Sequence, residues 1–183
     1  VDRVQHEAEL GLRMLDEITP EQRKALVKEY EDSKKAGDAR IRDFLNNDAD
    51  YTAFMTWEET KGERMQLDMG RGLFTNAGEP LTTQQEEQLI GVMQQVRKQP
   101  STVPDLGKPE NFDPTKLTQA DIDRQLARYD ANATAVAAQA AQFLSPKQLE
   151  TLRAMQQQWR VMSESGLKMT STMFGASPQP ASK

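Results

Sequence analysis

Proline is distributed so unevenly along this chain that it separates regions able to form long helices from regions that are not. Residues 21–79, 115–145 and 147–177 contain no proline, whereas residues 80–114 contain five of the nine prolines. Proline inside a helix removes a hydrogen-bond donor and costs about 3 kcal/mol. Val and Ile, which favour strands, together number only 12 of the 183 residues. We therefore predict an all-α protein, an elongated helical bundle.

One short motif occurs where four of the expected helices begin. It consists of an apolar residue, Ser or Thr, two further residues and Gln. Three copies and one imperfect copy lie at residues 18–22, 81–85, 144–148 and 117–121. The pattern is typical of a capping box, in which the hydroxyl and the Gln side chain each bond to backbone N–H groups of the first turn. It predicts helices that begin at Pro20, Thr83, Gln119 and Pro146.

The prolines and capping boxes divide the chain into four segments of one structural domain. These are an N-terminal helical part (residues 1–99), a Pro-rich loop (100–116), a C-terminal helical hairpin (117–175) and a disordered tail (176–183). Four helices are expected in the first segment: over residues 2–17, over residues 20–46, from residue 48 or 50 onward, and over residues 83–99. The second could be interrupted at Gly37. The third would be capped by Asp48 or Asp50 and end in the glycine-containing stretch 70–78.

The two helices of the hairpin carry heptad patterns of apolar residues. In the first helix these residues are Ile122, Leu126, Tyr129, Ala133, Val136, Ala140 and Phe143. In the second helix they are Leu152, Met155, Trp159, Met162, Gly166, Met169 and Met173. Such spacing places them on one face. Because the two helices are joined only at residues 144–146, we predict an antiparallel hairpin, whose alanines would let helices of a second subunit pack closely.

Charge and composition exclude several classes of function. The net charge is −5 and the longest basic run is Lys34-Lys35, which argues against nucleic acid or an anionic membrane as a partner. No run of 18 apolar residues indicates insertion into a membrane. Without Cys there is no disulfide, thiolate nucleophile or Cys metal site. We expect no cofactor.

The capping boxes at residues 18–22, 81–85 and, with Ser for Thr, 144–148 resemble the motif of the LTxxQ family of periplasmic stress proteins, the Spy and CpxP type. The resemblance implies an all-α, often dimeric protein that binds unfolded or partner proteins without ATP. It also implies a periplasmic or otherwise extracytoplasmic location, with a signal peptide removed. Related heavy-metal resistance proteins bind metal or regulate a sensor.

Methionine provides the candidate binding residues. Met155, Met162 and Met169 recur every seven residues on the second hairpin helix, and Trp159 lies on the same face. A stripe of this kind is usually core. If the hairpin leaves it uncovered, it becomes a partner-binding groove, for which flexible thioethers are well suited. We predict that these four residues bind a partner.

Two other clusters were weighed as sites for chemistry. His6, the only histidine, could hold a cation with Asp2 and Glu9, but one His without Cys is a poor metal site. Glu58, Glu59 and Glu63 could perform acid and base chemistry, although a solvated charged face explains them better. We therefore expect no metal ligands, no catalytic residues and no enzymatic activity.

These patterns lead to two functional expectations. The first is a non-enzymatic protein-interaction protein of the bacterial cell envelope, chaperone-like or regulatory, which binds a protein partner or an unfolded client and could form a homodimer. The alternative is a metal- or small-ligand-responsive helical sensor domain, suggested by the acidic helices and His6.

Overall fold

In the computed structural model, the described residues are 9, 12, 13, 19–106, 111, 113 and 116–174. They form six helices and no strand. The helices are α1 (Pro20–Leu45), α2 (Asp48–Glu59), α3 (Lys61–Asn76), α4 (Thr83–Arg97), α5 (Gln119–Ala140) and α6 (Pro146–Phe174). The all-α prediction is confirmed for these residues. The expected helix over residues 2–17 and the tail over 176–183 lie outside the described ranges.

All four predicted helix starts are confirmed. At the start of α1, the Thr19 hydroxyl accepts from the Gln22 N–H at 3.2 Å, and Gln22 Oε1 accepts from the Thr19 N–H at 2.8 Å. The boxes before α4 and α6 have the same two bonds. In the imperfect copy, the Asp121 carboxylate takes the place of Gln and accepts from the Thr118 N–H at 3.0 Å.

The expected third helix is two helices, α2 and α3, because the chain breaks at Thr60. The Thr60 hydroxyl donates to the Thr56 carbonyl at 2.9 Å, while its N–H is shared between the carbonyls of Thr56 and Trp57. A side chain bonded to the preceding turn competes with the helical backbone. Thr60 leaves the helical conformation, with φ −102° and ψ 6°. The suggested interruption of α1 at Gly37 does not occur.

The residue that caps α2 is Asn47, and not Asp48 or Asp50 as expected. Asn47 Oδ1 accepts from the Ala49 N–H at 2.8 Å. Asp48 is already the first helical residue, and its carboxylate accepts from Arg42 at 3.0 Å. The helix therefore begins one to three residues earlier than expected, because Asn caps a helix as well as Asp does.

Helix α3 ends in a Schellman motif. The Gly78 N–H donates to the Thr75 carbonyl at 2.9 Å, and the Glu79 N–H donates to the Phe74 carbonyl at 3.2 Å. Gly78 has φ 79°, a left-handed conformation that glycine adopts without strain. The helix therefore ends within the expected stretch, after passing two earlier glycines.

The chain forms two compact units, each built from separate stretches. The first unit comprises the described residues within 1–54, 104–121 and 168–183. In it, the buried Leu26 packs against Val27 and Tyr30, and the Ser171 hydroxyl donates to the Leu117 carbonyl at 3.0 Å. The predicted division of the chain into four segments, each continuous in sequence, stays a prediction.

The second unit comprises residues 55–103 and 122–167 and contains the larger core. Side chains from α3, α4, α5, α6 and the α5–α6 turn form this core. Its buried members are Leu67, Phe74, Leu89, Ile90, Val96, Val136, Ala140, Leu144, Leu152 and Met155. In this unit, the Tyr129 hydroxyl of α5 donates to the Gln156 carbonyl of α6 at 2.9 Å. The continuous hairpin over residues 117–175 stays a prediction.

Helices α3 and α6 approach each other closely where Gly70 meets Met155. A Cβ at position 70 would lie 2.8 Å from the Met155 Cγ and would overlap its sulfur, whereas a Cβ at Gly72 would meet nothing. Met155 is only 1% exposed and has no free space to move into. Gly70 is therefore the residue that lets α6 approach α3.

We predict that Gly70→Ala is less stable than Gly72→Ala by about 1–3 kcal/mol, the usual cost of overpacking a core. Both changes remove a helical glycine, so the gain in helix propensity of about 1 kcal/mol is common to both. Urea unfolding followed by circular dichroism measures the difference. Equal stability of the two variants would contradict the packing described here.

Candidate binding groove

The capping boxes of α4 and α6 contact each other through their glutamines. Gln85 and Gln148 lie 63 residues apart, and their side-chain amides exchange two hydrogen bonds of 3.0 and 3.2 Å. Gln85 Nε2 also donates to the Phe143 carbonyl at 3.0 Å, and Gln148 Nε2 donates to the Pro80 carbonyl at 3.2 Å. Phe143 lies two residues before Ser145, and Pro80 lies two residues before Thr82, so each amide bonds to the chain just before the other capping box. The glutamine pair is therefore reciprocal, as in a twofold arrangement.

The correspondence at a separation of 63 residues continues along both helices. Leu89 of α4 and Leu152 of α6 are both fully buried. Arg97 and Arg160 each donate through Nε to a carboxylate on the preceding helix of their pair, Glu63 and Asp130. The correspondence thus holds between α4 and α6, whereas the two carboxylates do not correspond, because the residue 63 positions after Glu63 is Leu126.

The two pairs differ in what fills the space between their helices. Leu67, Phe74 and Ile90 are buried in the α3–α4 pair. The residues 63 positions later are Asp130, Ala137 and Arg153. A groove of about 380 Å³ lies along α5 and α6 at these positions, and we call it the α5–α6 groove. Its volume is within the range of ligand sites, about 300–1,000 Å³.

Alanines line the apolar part of the α5–α6 groove, and charged residues line its edges. Ala133, Ala137 and Ala138 provide the apolar part, while Asp130, Arg153 and Arg160 are the charged residues. At the edge of the groove, Arg160 donates to Asp130 at 2.8 Å and to Glu164 at 3.2 Å.

The two groove arginines differ in their partners. The hydrogen bond to Asp130 raises the pKa of the Arg160 guanidinium above its ordinary value. Arg153 makes no ion pair with any residue in the described part of the chain. The groove therefore carries one paired and one unpaired cation, although the chain as a whole has a charge of −5.

Tyr129 closes one end of the groove as a neutral hydrogen-bond donor. Its hydroxyl donates to the Gln156 carbonyl, and the Gln156 amide donates to the Ala133 carbonyl at 3.1 Å. Burial raises the pKa of Tyr129 to about 12. The hydroxyl is therefore protonated near neutral pH and links α5 to α6.

The four predicted partner-binding residues do not share one environment. Met155 is buried in the core of the second unit against Gly70, which corrects its assignment to a binding surface. Trp159 is partly buried against the same core. Met162 in the second unit is 49% exposed, and Met169 in the first unit is 62% exposed. Partner binding by Met162 and Met169 stays a prediction.

The acidic cluster considered for acid and base chemistry is held in ion pairs. Glu63 is buried and bonded to Arg97. Lys98 donates to the Glu59 carboxylate at 2.7 Å, and Glu58 lies 3.9 Å from the Lys61 ammonium group. These ion pairs join α3 to α4 through Glu63 and Arg97, and the end of α2 to Lys61 and Lys98.

The cation site that was considered but not predicted, at Asp2, His6 and Glu9, is only partly within the described ranges. Asp2 and His6 lie outside them, and Glu9 is exposed. Across the described ranges, no group of three or more His, Cys, Asp or Glu side chains is arranged to hold a metal ion. None of the helices in those ranges combines the length and apolarity needed to cross a membrane.

Comparison with protein-family models, curated proteins and solved structures finds no match. The resemblance to the LTxxQ proteins therefore rests on the capping boxes. The α5–α6 groove was not predicted, although the sequence contains a signal for it. Aligning α4 with α6 at a separation of 63 residues places Arg153 at the position of the buried Ile90.

We predict that Gln148→Ala lowers the free energy of unfolding by about 1–3 kcal/mol, because it leaves buried polar groups of the glutamine pair without partners. The matched control is Gln22→Ala, which removes the same residue from an exposed capping box and should cost less than about 1 kcal/mol. Urea unfolding of both variants provides the test. Equal losses would show that the glutamine pair acts only as two separate caps.

We also predict that Tyr129 contributes to the pH dependence of stability above pH 10. Its pKa is about 12 in the folded protein against an ordinary value of 10.0, so the folded state holds the proton more tightly than the unfolded state. This contribution is complete below pH 10 and is lost as the pH rises toward 12. Unfolding measured across this range should show a smaller loss for Tyr129→Phe than for wild type. Parallel losses would contradict the assignment.

Proposed function

We propose that this chain is a non-enzymatic protein-interaction protein of the bacterial cell envelope, chaperone-like or regulatory. The observation that carries the proposal is the exposure of Met162. Its spacing from Met155 and Trp159, seven and three residues, places all three on one face of α6. That face is buried at Met155, partly buried at Trp159 and half exposed at Met162. An apolar face that continues beyond its core is suited to contact with another protein.

The chemistry of methionine supports a polypeptide as the partner. Its unbranched thioether side chain adapts to differently shaped apolar surfaces, which suits binding of unfolded or varied clients. The envelope location, ATP-independent binding and a homodimeric assembly are supported by the resemblance of the capping boxes to the LTxxQ family.

The proposal is tested by light scattering of a denatured client protein diluted into buffer without ATP. Wild-type protein should suppress aggregation. Met162→Ser should raise the protein concentration needed for half-maximal suppression about fivefold, the change that corresponds to about 1 kcal/mol. The measurement is a titration at a fixed client concentration.

The matched control is Met65→Ser on α3, because Met65 is also exposed and receives the same change in polarity. It should suppress aggregation as wild type does. No suppression by wild type, or an equal loss in both variants, would contradict the proposed use of the α6 face.

A further inference from the structure

The α5–α6 groove lacks side chains that its counterpart in the α3–α4 pair contains. At the positions that correspond to Leu67, Phe74 and Ile90, the α5–α6 pair has the following residues, in the same order: Asp130, Ala137 and Arg153. Leu67, Phe74 and Ile90 are buried in the core of the second unit. The groove therefore lacks apolar side chains of the size of Leu or Phe at these positions.

Polar contacts fix the two helices that line the groove. Tyr129 and Gln156 link α5 to α6 through 2.9 and 3.1 Å bonds, and Arg160 bonds to Asp130. The lining of the groove is therefore held in place without a ligand. A preformed site avoids part of the entropic cost of binding.

The charge at the edge of the groove indicates the polarity of the ligand. Arg153 is exposed and makes no ion pair in the described ranges, whereas Arg160 is already bonded to two carboxylates. A guanidinium group binds a carboxylate through two parallel hydrogen bonds. The alanines beside Arg153 offer no competing acceptor side chain.

We propose that the α5–α6 groove binds an acidic segment of a partner protein, which inserts one Leu- or Phe-sized side chain over Ala137 and places a neighbouring carboxylate on Arg153. The inference rests on the proposed function in that it names the chemistry of the protein partner. It assigns binding to a different surface of α6 from the one that contains Met162.

Nuclear magnetic resonance of the isotopically labelled full chain tests the proposal with three short peptides. The first is acetyl-Ala-Glu-Leu-Glu-Ala-amide. In the second, Ser replaces Leu; in the third, Lys replaces both Glu residues. The first peptide should shift the amide signals of Ala137, Ala138 and Arg153. Its dissociation constant should be about tenfold lower than that of either other peptide, the effect expected for loss of a charged hydrogen bond or of a buried Leu side chain.

Two variants locate the binding. Arg153→Glu should weaken binding of the first peptide at least about tenfold. Lys147→Glu, the same change of charge on α6 outside the groove, should leave binding unchanged. Thr134→Trp, at an exposed position that lines the groove, should block binding without disturbing the core. Circular dichroism confirms that each variant is folded.

Each result separates this inference from the proposed function. Equal binding of the three peptides, or shifts confined to residues outside the groove, overturns the inference even if aggregation is suppressed through Met162. Selective binding with no suppression supports the groove and overturns the chaperone-like function. Loss of the shifts when the protein concentration is raised would show that a second copy occupies the groove, and would also overturn the assignment.

Discussion

The second unit depends on the hydrogen bonds between Gln85 and Gln148, which join the starts of two helices that lie 63 residues apart in the chain. Each amide caps its own helix and also bonds to the chain before the other helix. Gln148 is buried, and a buried amide without partners is costly. The starts of α4 and α6 are thereby fixed against each other. Within the second unit, the residues of α6 that follow Gln148 continue from this fixed start at about 1.5 Å per residue.

This constraint explains why the groove occurs where it does. With both helix starts fixed, residues 63 positions apart occupy corresponding places, and a smaller or polar residue at one place is not compensated by a shift of the helix. Phe74 and Ala137 occupy such places. Tyr129 and Arg160 then form hydrogen bonds between α5 and α6 where apolar contact is missing. The groove thus follows from a repeated framework with unequal side chains.

The success of the sequence predictions depended on the distance over which each interaction acts. Helix starts at Pro20, Thr83 and Pro146 were predictable because a capping box is complete within four residues. The break at Thr60 was not, because many helices tolerate a Thr whose hydroxyl bonds to the preceding turn. Burial of Met155 depends on Gly70, a residue distant in sequence, and the heptad pattern alone indicates a face without saying what covers it.

Helix α6 extends well beyond the core that it helps to form. The helix has 29 residues, and its buried positions Gln148, Leu152 and Met155 all lie in its first third. A chain with 37% hydrophobic residues supplies a limited core. The same helix therefore has an apolar face that is buried at Met155 and exposed at Met162, and a second face on which Arg153 lines the groove. Because these faces point in different directions, substitutions at Met162 and Arg153 act on separate surfaces of one helix.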